Sequence, residues 1–279
     1  MLTTALICST ASLLAFILGL NHNKLKSKFG WLYKAIYYSS WPLSLFYLYK
    51  CKLMPANYSI AYVCSAIGWN IIGRTLQMIG LTGGVGSGKS AVTSIVKSSF
   101  SREIAIIDCD LVSREVVIPG RRAYKNIVKA FGSKILDSEG CIDRKILGAI
   151  VFANKAQRNK LDQIIQPAIF LEIFKKLIYY KIKGYSYVII DAPILFETKI
   201  LPWFCFPIIT VYVSDEEIQI KRVMGRDKIT REEAIQKIQC QWPIELKIRK
   251  SNISIDNIGT FEDLELKIRS IFRSLILSA

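Results

Sequence analysis

Histidine is almost missing from this chain: His22 is the only one among 279 residues. It stands far from the part of the sequence where catalytic patterns gather, so histidine-based metal or nucleophile chemistry is excluded there. The seven cysteines, Cys8, Cys51, Cys64, Cys109, Cys141, Cys205 and Cys240, are odd in number and form no C-x-x-C pair. Such spacing suggests neither a disulfide framework nor a zinc site. Acid is absent from the first 102 residues, Glu103 being the first carboxylate. Also missing are internal repeats, low-complexity tracts, zinc knuckles, RNP-like aromatic motifs and a basic helical stripe. The formal charge of +16 therefore suits polyanionic small molecules and gives no sign of a nucleic-acid partner.

What is present divides the chain in two. Residues 1–77 hold seven Lys or Arg, and the remainder holds 31 basic against 22 acidic residues. The opening MLTTALICSTASLLAFILGL carries no charge and is long enough to cross a hydrocarbon core as a helix, with NHNKLKSK directly after it. A basic flank behind the apolar run, not before it, predicts an anchor whose C-terminal side stays in the cytosol. Residues 1–21 are thus expected to be a transmembrane anchor, with a cleaved signal or an organelle-targeting segment, mitochondrial association included, as alternatives. Residues 22–76 read as a basic, aromatic-rich linker suited to a membrane surface, and residues 77–279 as the soluble domain.

That domain begins with GLTGGVGSGKS, eleven residues containing five glycines, one lysine and no acid. Gly83, Gly88, Lys89 and Ser90 fit G-x-x-x-x-G-K-[ST], between an apolar run and a helical pattern, which is the setting of a phosphate-binding P-loop. Glycines allow consecutive N–H groups to converge on phosphate oxygens at the positive end of the next helix. Gly83, Gly84, Val85, Gly86, Ser87, Gly88, Lys89 and Ser90 are the expected ATP cradle. Lys89 would reach the β- and γ-phosphates, and the Ser90 hydroxyl would meet Mg²⁺.

Beyond the loop, short β-branched runs alternate with helical periods, which predicts an α/β fold with a parallel sheet. Expected strands are 78–81, 104–107, 187–190 and 208–213; expected helices are 90–99, 111–117, 123–131, 159–183, 216–224 and 231–239. No strand is expected in 119–183, read as a helical insertion that grips a second substrate. Ligands of such sheets bind at the carboxyl ends of strands. Asp108 and Asp110 follow one strand, and Asp191 follows four apolar residues in the Walker B manner, suited to Mg²⁺. Each could also cap a helix or start a turn. Arg222, Arg226 and Arg231 surround a break between two helices, as a lid over transferring phosphates (222–240) requires, although a solvated helical face has the same composition.

From about Met78 to Gly259 the chain resembles the dephospho-CoA kinase family. The likeness is carried by GLTGGVGSGKS, IIDCDLVSREVVIPG, FGSKILDSEGCIDRKILGAIVFAN, VIIDAPILFE, RVMGRD, Gln241 with Pro243, and SIDNIG. It implies a P-loop kinase core with a helical CoA-binding insertion and a lid, and transfer of the ATP γ-phosphate to the 3′-hydroxyl of dephospho-CoA with Mg²⁺. It further implies Asp110, Lys89 and Arg226 in catalysis, Arg222 and Asn257 at ATP, and Asp108, Asp110, Arg114, Gln166 and Glu197 at the acceptor. One departure stands out, since the family usually has His-Pro where this chain has Gln166-Pro167. Rivals are a kinase of another small acceptor, such as a nucleoside monophosphate, and a GTPase or binding module. The guanine-reading N-K-x-D is absent, the lone Asn154-Lys155 being followed by Ala156-Gln157. A degenerate membrane structural protein would carry a damaged loop, and this one is intact.

Overall fold

The computed structural model describes residues 75–198 and 200–277, together with Gly73, and its chain divides into two compact units. The predicted anchor and nearly all of the predicted linker lie outside the described residues. No helix among the described residues is long and apolar enough to cross a membrane.

The first unit takes the chain up to Ser101 and from Pro193 onward. It begins with β1 (Met78–Gly83) and α1 (Lys89–Ser99). The second unit, Arg102–Ala192, holds β2 (Ile104–Asp108), α2 (Cys109–Glu115), α3 (Arg122–Phe131), α4 (Arg144–Ala153), α5 (Lys155–Ile182) and β3 (Tyr187–Asp191). The chain then returns to the first unit for β4 (Cys205–Tyr212), α6 (Glu216–Asp227), α7 (Arg231–Gln239), α8 (Ile244–Lys250), β5 (Ile253–Asp256) and α9 (Phe261–Leu277).

In the first unit β1 runs parallel to β4, and β4 parallel to β5, with Leu81 opposite Ile209, Gly83 opposite Val211, and Val211 opposite Ile255. All six residues of β1 are buried, the near-continuous apolar run expected of a parallel strand covered on both faces. Val92, Ile95 and Val96 of α1 and Ile268 and Phe272 of α9 are also buried, and the rings of Phe100 and Phe272 lie 6.0 Å apart. Each such side chain contributes about 1.5–3 kcal/mol through burial.

In the second unit β2 and β3 pair in parallel with unbroken register, Ile107 opposite Ile190 and Asp108 opposite Asp191. Its helices close over a separate cluster of Ile127, Phe131, Ile135 and Leu147. No strand interrupts residues 119–183, where only an isolated bridge joins Leu136 to Ile142.

The predicted strand and helix positions recur, and at two helices the shifted start comes from a side-chain cap. Asn154 Oδ1 accepts from the N–H groups of Ala156 and Gln157, so α5 starts at Lys155 and not at 159. That helix continues through Pro167, which cannot donate to the carbonyl one turn back. Asp108 caps α2 and starts it at Cys109. Four elements were not expected: α4, α8, β5 and α9.

Candidate active site

The P-loop is built from the end of β1 and the start of α1. A Cβ on Gly83 would stand 2.5 Å from the Val211 carbonyl oxygen and 2.7 Å from Ser87 Oγ, so only glycine lets the loop pass this close to β4. Gly88 has φ of 85°, and a Cβ there would collide with the amide of Asn257. Gly88 is also the N-cap of α1, with no side-chain cap and no acid in the first turn. The positive end of α1 is thus left to an anion. Lys89 is half-buried at the helix start and Ser90 is exposed beside it. Gln219 Nε2 of α6 donates to the Val85 carbonyl at 2.7 Å and steadies the loop's outer turn. A concavity of about 680 Å³ opens next to Gly84 and Val85, with Gln241, Trp242 and Ile244 on its wall.

Behind the loop, Asn257 Nδ2 donates to the Ser87 carbonyl at 2.9 Å, and Arg222 Nη1 donates to the Asn257 carbonyl at 2.8 Å. Arg222 and Asn257, both expected at ATP, therefore meet each other and the P-loop backbone. Arg226 makes a two-pronged pair with Asp227, at 2.7 and 3.0 Å, and Lys237 reaches the same carboxylate at 2.7 Å. These two cations hold the Asp227 carboxyl far below the usual carboxylate range, Arg226 having the larger effect. Arg231 pairs with Glu217, whose carboxyl is lowered by that hydrogen bond. The predicted break lies between α6 and α7, where Lys228 takes a left-handed conformation and Thr230 and Glu233 form a capping box.

Glu197 lies in the same unit. Lys247 Nζ is 3.0 Å from its Oε1, while its Oε2 is buried without a hydrogen-bond partner.

The remaining predicted residues lie in the second unit. Asp108 and Asp191 are register partners at the carboxyl ends of adjacent parallel strands, and Asp191 is buried. Asp108 Oδ1 accepts from Asp110 N at 2.8 Å and Leu111 N at 3.1 Å. The capping role weighed for Asp110 thus belongs to Asp108, because the helix begins two residues earlier than its apolar pattern suggests. Asp110 is exposed in the first turn of α2 with no cap to serve, and Arg114 is exposed in the last turn. Gln166 is exposed on α5. Beside it, α3 and α5 enclose a concavity of about 490 Å³ lined by Arg121, Arg122, Asn126, Gln163, Pro167 and Lys175.

No cluster of three or more His, Cys, Asp or Glu exists among the described residues. Ser90 and Asp191 are hard oxygen donors of the kind Mg²⁺ takes, one or two at a time, alongside phosphate and water. Sequence reasoning missed Lys247, a lysine in an ordinary helical stretch whose full burial has no local signature.

Residues 77–263 match the dephospho-CoA kinase family. The chain is 40% identical over 198 residues to a dephospho-CoA kinase domain-containing protein of Danio rerio, covering 71% of this chain and 85% of the relative. It is 39% identical to the dephospho-CoA kinase of Carboxydothermus hydrogenoformans, covering 71% and 94%. Among solved structures, the dephospho-CoA kinase of Campylobacter jejuni superposes with a TM-score of 0.55 at 26% identity, covering 71% of this chain and 96% of that one.

Proposed function

The chain belongs to the dephospho-CoA kinase family, and from that premise we propose that it transfers the γ-phosphoryl group of ATP to the ribose 3′-hydroxyl of dephospho-CoA, giving coenzyme A and ADP. The observation that carries this reading is the intact P-loop on an uncapped helix, within a chain that matches the family from Gln77 to Asp263. Phosphoryl transfer has a loose transition state, so the protein's task is to position the reactants and neutralise spreading charge. The loop N–H groups and the start of α1 bind the phosphates, and Lys89 offsets charge on the migrating group. Arg222 and Arg226 serve the lid side. The bond from the β–γ bridging oxygen to phosphorus breaks while the bond from the 3′-oxygen forms. The proton of the 3′-hydroxyl passes to the Asp110 carboxylate, which is exposed and carries no structural duty.

Mg²⁺ supplies charge neutralisation between the phosphates when bound, and Ser90 Oγ and the Asp191 carboxylate are the residues that would hold it. In the second unit Arg121 and Lys175 share Glu172 at 3.7 Å each, and Arg122 on the same wall suits the charged arm of the acceptor, with Gln166 next to Pro167 of that wall. Neutral Gln166, in place of the usual histidine, offers hydrogen bonds but no ionic contact. The uncharged first twenty residues with the basic flank behind them support a membrane-anchored enzyme with its kinase domain in the cytosol.

The test is to incubate the purified full-length chain with ATP, Mg²⁺ and a panel of acceptors comprising dephospho-CoA, nucleoside monophosphates and shikimate. Formation of coenzyme A is expected. Preferential phosphorylation of another acceptor would overturn the substrate assignment.

A further inference from the structure

Lys247 is one of the largest fully buried side chains of the described residues, and its ammonium has no access to solvent. Burying a charge is costly unless it is paired and hydrogen-bonded. Lys247 Nζ donates to the Pro193 carbonyl at 2.7 Å and lies 3.0 Å from Glu197 Oε1. The same carbonyl accepts from Thr82 Oγ1 at 3.0 Å, and Thr82 precedes the first residue of the P-loop motif. The Trp242 N–H donates to Glu197 Oε1 at 3.4 Å, so both protein donors converge on one carboxylate oxygen. Glu197 Oε2, and Oε1 of Gln241 just before Trp242 in sequence, are buried with no hydrogen-bond partner. A carboxylate oxygen withdrawn from water, on a side chain held by its other oxygen, is set to accept from a bound molecule.

We infer that Lys247 is a positioning residue for phosphoryl transfer: it fixes Pro193, two residues after Asp191, and holds Glu197 so that Oε2 receives a hydrogen-bond donor of the bound acceptor. The inference rests on the kinase reading above. It adds that a lysine without contact to either substrate sets the geometry of the segment 193–197.

Single replacement of Lys247 leaves the Glu197 charge buried and unpaired, which destabilises whatever the residue's role. The informative variant is Lys247→Met combined with Glu197→Gln in the full-length chain, which removes both charges and keeps the volume. Tm, kcat and the two KM values are measured with ATP and dephospho-CoA. Positioning predicts a Tm near that of the wild type, kcat lower by about 10- to 100-fold, and an unchanged KM for ATP. Recovery of both Tm and kcat would overturn it, as would a raised KM for ATP with kcat intact. If the double variant does not fold, Lys247→Arg decides, since it keeps the buried charge but shifts its donors: reduced kcat at constant KM for ATP supports the inference, and wild-type kcat refutes it. Failure of the wild-type chain to phosphorylate dephospho-CoA would count against the kinase reading instead. The same variants would then be compared on whichever acceptor the panel returns, with the same outcomes deciding.

Discussion

Asn257 and Ser87 stand 170 residues apart in sequence, yet the amide of one donates to the carbonyl of the other at 2.9 Å, and Asn257 is buried. The P-loop is therefore held from behind by the residue just past β5. Asn257→Ala strips the Ser87 carbonyl of this donor while sparing the Arg222 contact, which uses the Asn257 backbone oxygen. Leaving a buried acceptor unsatisfied costs about 1–3 kcal/mol. Urea denaturation should show a loss of that size, and the KM for ATP should rise. Unchanged stability and KM would mean that the loop holds its shape without Asn257.

Asp108 and Asp110 separate cleanly by substitution. Asp108→Ala removes the cap of α2 and should cost about 1 kcal/mol, whereas Asp108→Asn keeps a capping oxygen and should leave Tm nearly unchanged. Asp110→Asn should also leave Tm unchanged but lower kcat by about 10²- to 10⁴-fold, because the amide cannot accept the ribose proton. Turnover within about threefold of wild type at saturating substrates would remove Asp110 as the base.

The junction of α6 and α7 should respond to acid in a set direction. Arg226, and after it Lys237, hold the folded Asp227 carboxyl below its unfolded value. Such a group stabilises the fold above the unfolded pKa, about 4, and the contribution is lost as pH falls through the lower folded value. The Tm difference between wild type and Asp227→Asn should stay constant from neutral pH down to about 4 and shrink below that. A gap that closes between pH 7 and 5 would mean that some other group controls the junction.

If the proposed anchoring holds, the full-length chain should sediment with membranes and resist carbonate extraction, since about 20 uncharged residues bury enough apolar surface for effectively irreversible insertion. Recovery in the soluble fraction, or a mature chain beginning after residue 20, would overturn the anchor.

Much of the catalytic half was legible because its chemistry is local. Gly83 to Ser90 is one continuous segment, and Asp108 and Asp191 each end a short β-branched apolar run that pairs as a strand. The last strand was not legible. Ile253 to Asp256 is four residues with a polar one inside, too short to show a period, and it forms by pairing with β4. The role of Asp108 turned on where α2 starts, a matter of two residues that side-chain hydrogen bonds decide. Lys247 was invisible for another reason: its partners, Pro193 and Glu197, lie 54 and 50 positions away, and burial of a lysine runs against its usual behaviour. The three lid arginines were picked out for their place around a helix break, and pattern alone did not show that Arg226 and Arg231 each pair with an acid and Arg222 with a backbone carbonyl.

The start of α1, left uncapped by any side chain, ties the fold to the metabolic state around it. A ligand that binds only the native chain adds RT ln(1 + [L]/Kd) to its stability, about 2.7 kcal/mol when the ligand stands at a hundred times Kd. At cellular ATP levels the nucleotide would act as a structural component of the P-loop as well as a reactant. The polypeptide should then resist proteolysis better with adenine nucleotide bound than without it, so that the substrate protects the chain that consumes it.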